Sequence, residues 1–201
     1  MAFPPTLVLA TRNDHKIREL ARICAEWPVR WITLRDPEAV AAPEVEETGA
    51  TYLENAMLKA EAVARALDLP AIADDSGIEV DALGGAPGPR SARYAGEDAT
   101  DEENLRSLLS ALKGVPGGGR TARYRCVAAF ATPEGDVRHA EGVCEGTLVA
   151  SPRGAGGFGY DPAFEPVGWD VTMAELTDAQ KDRISHRGRA FRALGELLAD
   201  G

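Results

Sequence analysis

Long apolar runs are missing from this chain: none approaches the roughly 20 residues that a membrane-spanning helix needs. The first ten residues, MAFPPTLVLA, have neither the basic start nor the cleavable apolar core of a secretory leader, so a cytoplasmic protein is expected. Cysteine is scarce. Cys24, Cys126 and Cys144 are odd in number and show no metal-ligand spacing, which argues against a disulfide framework or a thiolate metal site and leaves reduced, small apolar residues. Positive charge is in deficit, with a formal net charge of −10. Such a chain is not a general nucleic-acid binder, because affinity for a polyanion rests on neutralising its phosphates. An anionic substrate would need cations gathered locally, or a bridging metal.

What is present alternates strands and helices. TLVLA (6–10) and VRWITL (29–34) read as strands, and between them Ile17, Leu20, Ile23 and Trp27 keep a helical period. Thr51 and Glu54 form a capping box opening a long helix with Leu53, Ala56, Ala60, Val63 and Leu67 on one stripe. Residues 100–113 read as a further helix, stopped by KGVPGGG. TARYRCVAAFAT and VRHAEGVCEGTLVA flank PEGD as a long hairpin that sets Cys126 and Cys144 nearly opposite each other. A last helix starts near Ser185, with Phe191, Leu194 and Leu198 on one face. The pattern is mixed α/β with a strongly antiparallel middle, which a simple Rossmann domain does not have.

Five segments carry chemistry. In LPAIADDSGIEVDALGG (69–85) the adjacent Asp74 and Asp75 follow an apolar run. Neighbouring strand residues face opposite ways, so the pair predicts that the strand ends there, with Ser76 and Gly77 turning the chain. In LVLATRNDHK the residues Thr11, Arg12, Asn13, Asp14, His15 and Lys16 lie between a strand and a helix start, where backbone N–H groups favour an anion; the alternative is a plain helix cap with a solvated lysine. The glycines of a Walker A loop are missing. Glu46 and Glu47 precede the long helix, either as partners of its dipole or, with Asp75, as oxygen ligands suited to Mg²⁺. GGFGYDPAF offers close backbone approach, Phe158 as a stacking face, and Asp161 before a proline. AELTDAQKDRISHRGRAF crowds Lys181, Arg183, His186, Arg187 and Arg189; His186 and Arg187 sit at a helix start, the wrong end for cations, so an anionic or acceptor-rich partner is expected nearby.

Taken together and in order, TRNDHK, EETGATYLENAMLKA, ADDSGIEVDALGGAPGPRSARYAGEDATDEENL, GGFGYDPAF and AELTDAQKDRISHRGRA resemble the inosine triphosphate pyrophosphatase family, over residues 6–198. Arg12 departs from the pattern, since many members carry glycine there. The resemblance implies a single domain over residues 1–201: an elongated, mixed-sheet α/β fold of two lobes around a substrate cleft, usually a homodimer. It implies Mg²⁺-dependent hydrolysis of non-standard purine nucleoside triphosphates (dITP, ITP, XTP) to the monophosphate and pyrophosphate. By the same resemblance Asp75 is the general base and a metal ligand, with Glu46 and its neighbour Glu47 supplying the other metal carboxylate. Ser76 touches substrate. Thr11 to Lys16 and Lys181 bind phosphates, while Phe158, Gly159, Tyr160 and Asp161, with His186 and Arg187, line the base pocket. Donors from Arg187 and the loop would accept a 6-oxo purine and leave adenine unpaired. Two alternatives stand beside it: a Maf-type pyrophosphatase acting on other nucleotides, and a nucleotide-binding module without catalysis.

Overall fold

The computed structural model describes residues 3–200. Six strands form one mixed sheet in the order β2-β1-β3-β4-β5-β6: β1 (Thr6–Leu9), β2 (Arg30–Thr33), β3 (Ala71–Val80), β4 (Thr121–Ala131), β5 (Val137–Leu148) and β6 (Phe164–Pro166). β1 runs parallel to both β2 and β3, with Val8 opposite Ile32 on one side and Ala71 on the other, whereas β5 and β6 are antiparallel. The helices are α1 (Asp14–Ile23), α2 (Tyr52–Leu67), α3 (Asp101–Ala111), α4 (Asp178–Ile184) and α5 (His186–Ala199). Among the described residues, no helix is long and apolar enough to cross a membrane.

The chain divides into two compact units: residues 1–75, 126–142 and 187–201 form the first, residues 76–125 and 143–186 the second. In the first, the period of two along each strand sorts side chains into two clusters. Val8, Ala71, Ala73, Val127 and Ala129 pack with α2 through Ala56, Ala60 and Val63. Leu7, Leu9, Ile72, Cys126 and Ala128 pack with Leu20 of α1 and with Ala190, Phe191, Leu194 and Leu198 of α5. Phe191 is fully buried, which contributes about 1.5–3 kcal/mol. The second unit has one cluster, in which Leu105, Leu108 and Leu112 meet Ile78, Val80, Tyr124, Cys144 and Phe164.

Both halves of the capping box at Thr51 and Glu54 are formed, and the hairpin turns at PEGD, where Thr132 N–H donates to Asp136 O at 2.9 Å. Two expectations are corrected. α1 stops at Ile23 and Trp27 lies beyond it, because Pro28 disfavours helical backbone in the residue before it; the Trp27 ring still joins the same cluster, 6.4 Å from Phe191. Cys126 and Cys144 are buried, form no disulfide, as expected, and pack in different clusters. The largest departure is at ADDSG. β3 does not end there but runs on to Val80, and both carboxylates are buried: Asp74 is 2% and Asp75 5% exposed.

Candidate active site

β3 can continue because each carboxylate meets its own cations. Asp74 shares a face with Ile72, towards α1 and α5; Asp75 shares a face with Ala73, towards α2. Asp74 Oδ2 lies 3.0 Å from Lys16 Nζ and 3.1 Å from Arg187, whose Nε also donates to it at 3.2 Å. The other side of the Arg187 guanidinium donates to Glu19 Oε2 at 2.6 Å. Burial alone would raise the Asp74 carboxyl, yet Lys16, Arg187 and Lys59 together hold it well below the usual carboxylate range. Cys126 Sγ lies 3.8 Å from the same oxygen, and burial, with Asp74 close by, pushes its thiol up, so it is no nucleophile. The anionic partners expected for Arg187 are therefore Asp74 and Glu19.

On the opposite face, Asp75 Oδ2 accepts from Asn55 Nδ2 at 3.1 Å, and its Oδ1 lies 3.9 Å from Lys59 Nζ. Lys59 in turn pairs with Glu47 at 2.5 Å. Burial raises the Asp75 carboxyl above its ordinary value; Lys59, Lys16 and Asn55 draw it back only in part, and Glu47 adds to the rise. A desolvated carboxylate of raised basicity is what a general base requires. Lys59 moves the other way: burial would lower its ammonium, but Asp75, Glu47 and Asp74 raise it.

Between Glu47 and Asp75, then, stands one cation, the Lys59 ammonium. Glu47 and Asp75, two carboxylates turned to one cation, are the side chains that could hold a hard divalent ion, which takes oxygen donors. Among the described residues, no group of three or more His, Cys, Asp or Glu side chains is arranged as a metal site of its own. Of the two glutamates named from sequence, Glu47 joins Asp75 through Lys59, while Glu46 is exposed.

The turn before α1 is organised by Asn13, the N-cap, whose Oδ1 accepts from the N–H groups of His15 (2.9 Å) and Lys16 (3.2 Å); Thr11 Oγ1 accepts from Asn13 N–H. Asp14 pairs with Arg35 at 2.7 Å, His15 Nδ1 lies 3.0 Å from Arg18, and Arg12 donates to the carbonyls of Ala42 and Pro43 at 3.3 and 3.4 Å. The plain cap is formed, the side chain of Asn13 is committed to it, and Lys16 is not a solvated lysine but is directed to Asp74.

The second unit holds its own group. Asp161 is buried and accepts from Tyr124 O–H (3.2 Å), Phe158 N–H (2.8 Å) and Lys181 (2.6 Å). Lys181 also lies 5.0 Å from the Phe158 ring centroid, and His186 stacks on Tyr124 at 4.5 Å. Gly159 N–H donates to Asp101, and Tyr160 O–H to Ser91 O. Gly157 must be glycine: its φ is +68°, and a Cβ there would stand 2.1 Å from Asp161 Oδ2. Phe158 to Asp161 and His186 lie together in the second unit; Lys181, expected among the phosphate ligands with Thr11 to Lys16, instead pairs with Asp161 in this group. Arg187 belongs to the Asp74 group of the first unit, and Ser76, on β3, is half-buried in the second. Sequence reasoning missed Glu19, Asn55 and Lys59. Asn55 and Lys59, four residues apart beside the stripe of Ala56 and Ala60, give the one readable signal: polar residues on the inner side of an amphipathic helix.

The site is thus a pair of buried, strand-borne carboxylates among the cations Lys16, Lys59 and Arg187. The chain belongs to the Ham1 family, whose model matches residues 7–197. It is 50% identical over 191 residues to the dITP/XTP pyrophosphatase of Geobacillus kaustophilus, covering 94% of this chain and 92% of that protein. It is also similar in structure to a HAM1 protein from Coxiella burnetii (TM-score 0.87, 38% identity, 98% and 100% of the two chains). A nucleoside-triphosphatase and dITP/XTP pyrophosphatase from Mycobacterium abscessus matches with TM-score 0.74 and 41% identity, over 96% and 98% of the chains.

Proposed function

We infer that this chain is a dITP/XTP pyrophosphatase, hydrolysing non-canonical purine nucleoside triphosphates to the monophosphate and pyrophosphate. The observation that carries the reading is Asp75, buried, raised in basicity and set beside Glu47 and Lys59. Asp75 takes a proton from the water that attacks the α-phosphorus; the water oxygen bonds to phosphorus as the bond to the bridging oxygen breaks, and pyrophosphate leaves. Lys16 and Lys59 counter the charge that grows on the leaving group. Glu47 and Asp75 would hold Mg²⁺, which supplies charge neutralisation when bound, and Glu46 stands next in line on the same loop. Thr11 to Lys16 receive the phosphates.

In the second unit, the Phe158 ring stacks on the base, with Ser76 as a further substrate contact. Gly159 and Tyr160 shape the loop, while Lys181 and His186 supply donors for a 6-oxo group. A donor left unpaired by adenine costs about 1–3 kcal/mol, on the order of tenfold to a hundredfold per contact. Arg187, fully engaged by Asp74 and Glu19, is assigned to holding Asp74 rather than to reading the base. The chain acts as one pyrophosphatase domain, and a homodimer in the cytoplasm is its expected form. The test is pyrophosphate release from dITP and XTP against dATP and dGTP: selective release supports the reading, and binding of dITP without release overturns it in favour of a non-catalytic module.

A further inference from the structure

Asp75 does not hold itself in place. One side chain that holds it is Asn55 of α2, which is wholly buried and spans two parts of the site with one amide. Its Nδ2 donates to Asp75 Oδ2 at 3.1 Å, and its Oδ1 accepts from Gly49 N–H at 2.8 Å. Gly49 lies two residues beyond Glu47, on a stretch without helix or strand. The approach is so close that a Cβ on residue 49 would stand 2.6 Å from Asn55 Oδ1 and 2.7 Å from Glu54 Cβ. On the other side of the same stretch Lys59, one helical turn after Asn55, takes Glu47.

The geometry points to Asn55 as a positioning residue: its amide sets the Asp75 carboxylate and the Glu47 loop at a fixed distance from each other. This rests on the pyrophosphatase reading above. The chemistry explains why the residue is an amide. Only a side chain with a donor at one end and an acceptor at the other can satisfy a carboxylate and a backbone N–H at once. With its bond to Oδ2, Asn55 turns the Oδ1 edge of Asp75 towards Lys59, the side on which Glu47 also lies. A carboxylate free to rotate would lose that register, and outer partners of this kind are typically worth about 10–100-fold in activity or metal affinity.

The test separates the two bonds. Asn55→Leu removes both; Asn55→Asp keeps an acceptor for Gly49 N–H but replaces the donor to Asp75 with a like charge; Gly49→Ala drives a Cβ against Asn55 Oδ1 and so disturbs the bridge from its loop end. For dITP hydrolysis, kcat is expected to fall about 10–100-fold in all three, with KM within about threefold of wild type. Hydrogen exchange at the Gly49 amide, read by NMR without metal or nucleotide, is expected to accelerate at least about tenfold in Asn55→Leu and to stay slow in Asn55→Asp. Should Asn55→Leu fail to fold, the other two variants decide. Near wild-type kcat in Asn55→Asp and Gly49→Ala, or a fall in kcat matched by an equal rise in KM, overturns the proposal. Asp75→Asn is the control: if it retains turnover, the pyrophosphatase reading itself fails, whereas an inactive Asp75→Asn beside a fully active Asn55→Asp overturns only the role of Asn55.

Discussion

Replacing Arg187 with methionine keeps most of the side chain's volume and removes its charge. Arg187 is 2% exposed and bridges two carboxylates that are themselves buried, Asp74 at 3.1 Å and Glu19 at 2.6 Å. Asp74 keeps Lys16 at 3.0 Å, so the loss falls on a half-compensated Asp74 and on Glu19. Removing one partner of a buried ion pair costs about 3–5 kcal/mol, because the charge left behind is desolvated without compensation. For a chain of this size, 1 kcal/mol moves Tm by about 2–4 °C, so a fall of roughly 6–20 °C is expected. The pH dependence follows from Asp74. Its folded carboxyl lies below the unfolded value of about 3.9, so its contribution is fully present above that value and is lost as pH falls through the folded one. The variant has a smaller depression to lose. The gap between wild type and Arg187→Met is therefore widest near neutrality and narrows below about pH 4. Urea unfolding at both pH values measures it. A variant within about 1 kcal/mol of wild type at neutral pH, or a gap that does not change with acid, would refute the reasoning. An unchanged stability together with a collapsed dITP to dATP preference would return Arg187 to the base edge.

Three further outcomes are expected. Asp75→Asn should abolish turnover and leave the fold at least as stable as wild type, up to about 2 kcal/mol more stable, because burial disfavours its charge despite Lys59 and Asn55; urea unfolding beside a pyrophosphate assay checks both, and a large loss of stability would contradict the raised basicity. Lys59→Met should strip the cation between Glu47 and Asp75 and cut kcat/KM for dITP by about 100-fold or more, since each 1.4 kcal/mol of transition-state stabilisation is a factor of ten; a loss below about threefold would exclude Lys59 from the site. Gly157→Ala should misplace Asp161 and Phe158 and raise KM for dITP about tenfold, with thermal stability lowered by about 1–3 kcal/mol for the positive φ and the clash; unchanged kinetics would mean that the loop does not hold the base.

Much of this was legible in the chain because it is local. The capping box at Thr51 and Glu54, the stripe of Ala56, Ala60 and Val63, and the turn at PEGD depend on neighbours a few residues apart, and all three are formed. The misplaced end of α1 was also local in origin: Trp27 keeps the helical spacing, but Pro28 follows it and α1 stops at Ile23. ADDSG was misread for the opposite reason. Asp, Ser and Gly side by side are turn residues, and what keeps them in a strand is Arg187, 113 residues away, together with Lys16 and Lys59 from two different helices. The mismatch of a cationic helix start at Arg187 did signal a buried anion, though not which one. Glu19, Asn55 and Lys59 looked like ordinary polar positions on amphipathic helices, and only the packing of α1 and α2 against β3 gives them partners.

The most direct measurement is pyrophosphate release from dITP, XTP, dATP and dGTP, with Mg²⁺ and with chelator, by the wild-type chain and by Asp75→Asn. The account predicts metal-dependent release from dITP and XTP alone, lost in Asp75→Asn. Release from all four nucleotides alike, or turnover that survives in Asp75→Asn, would contradict it.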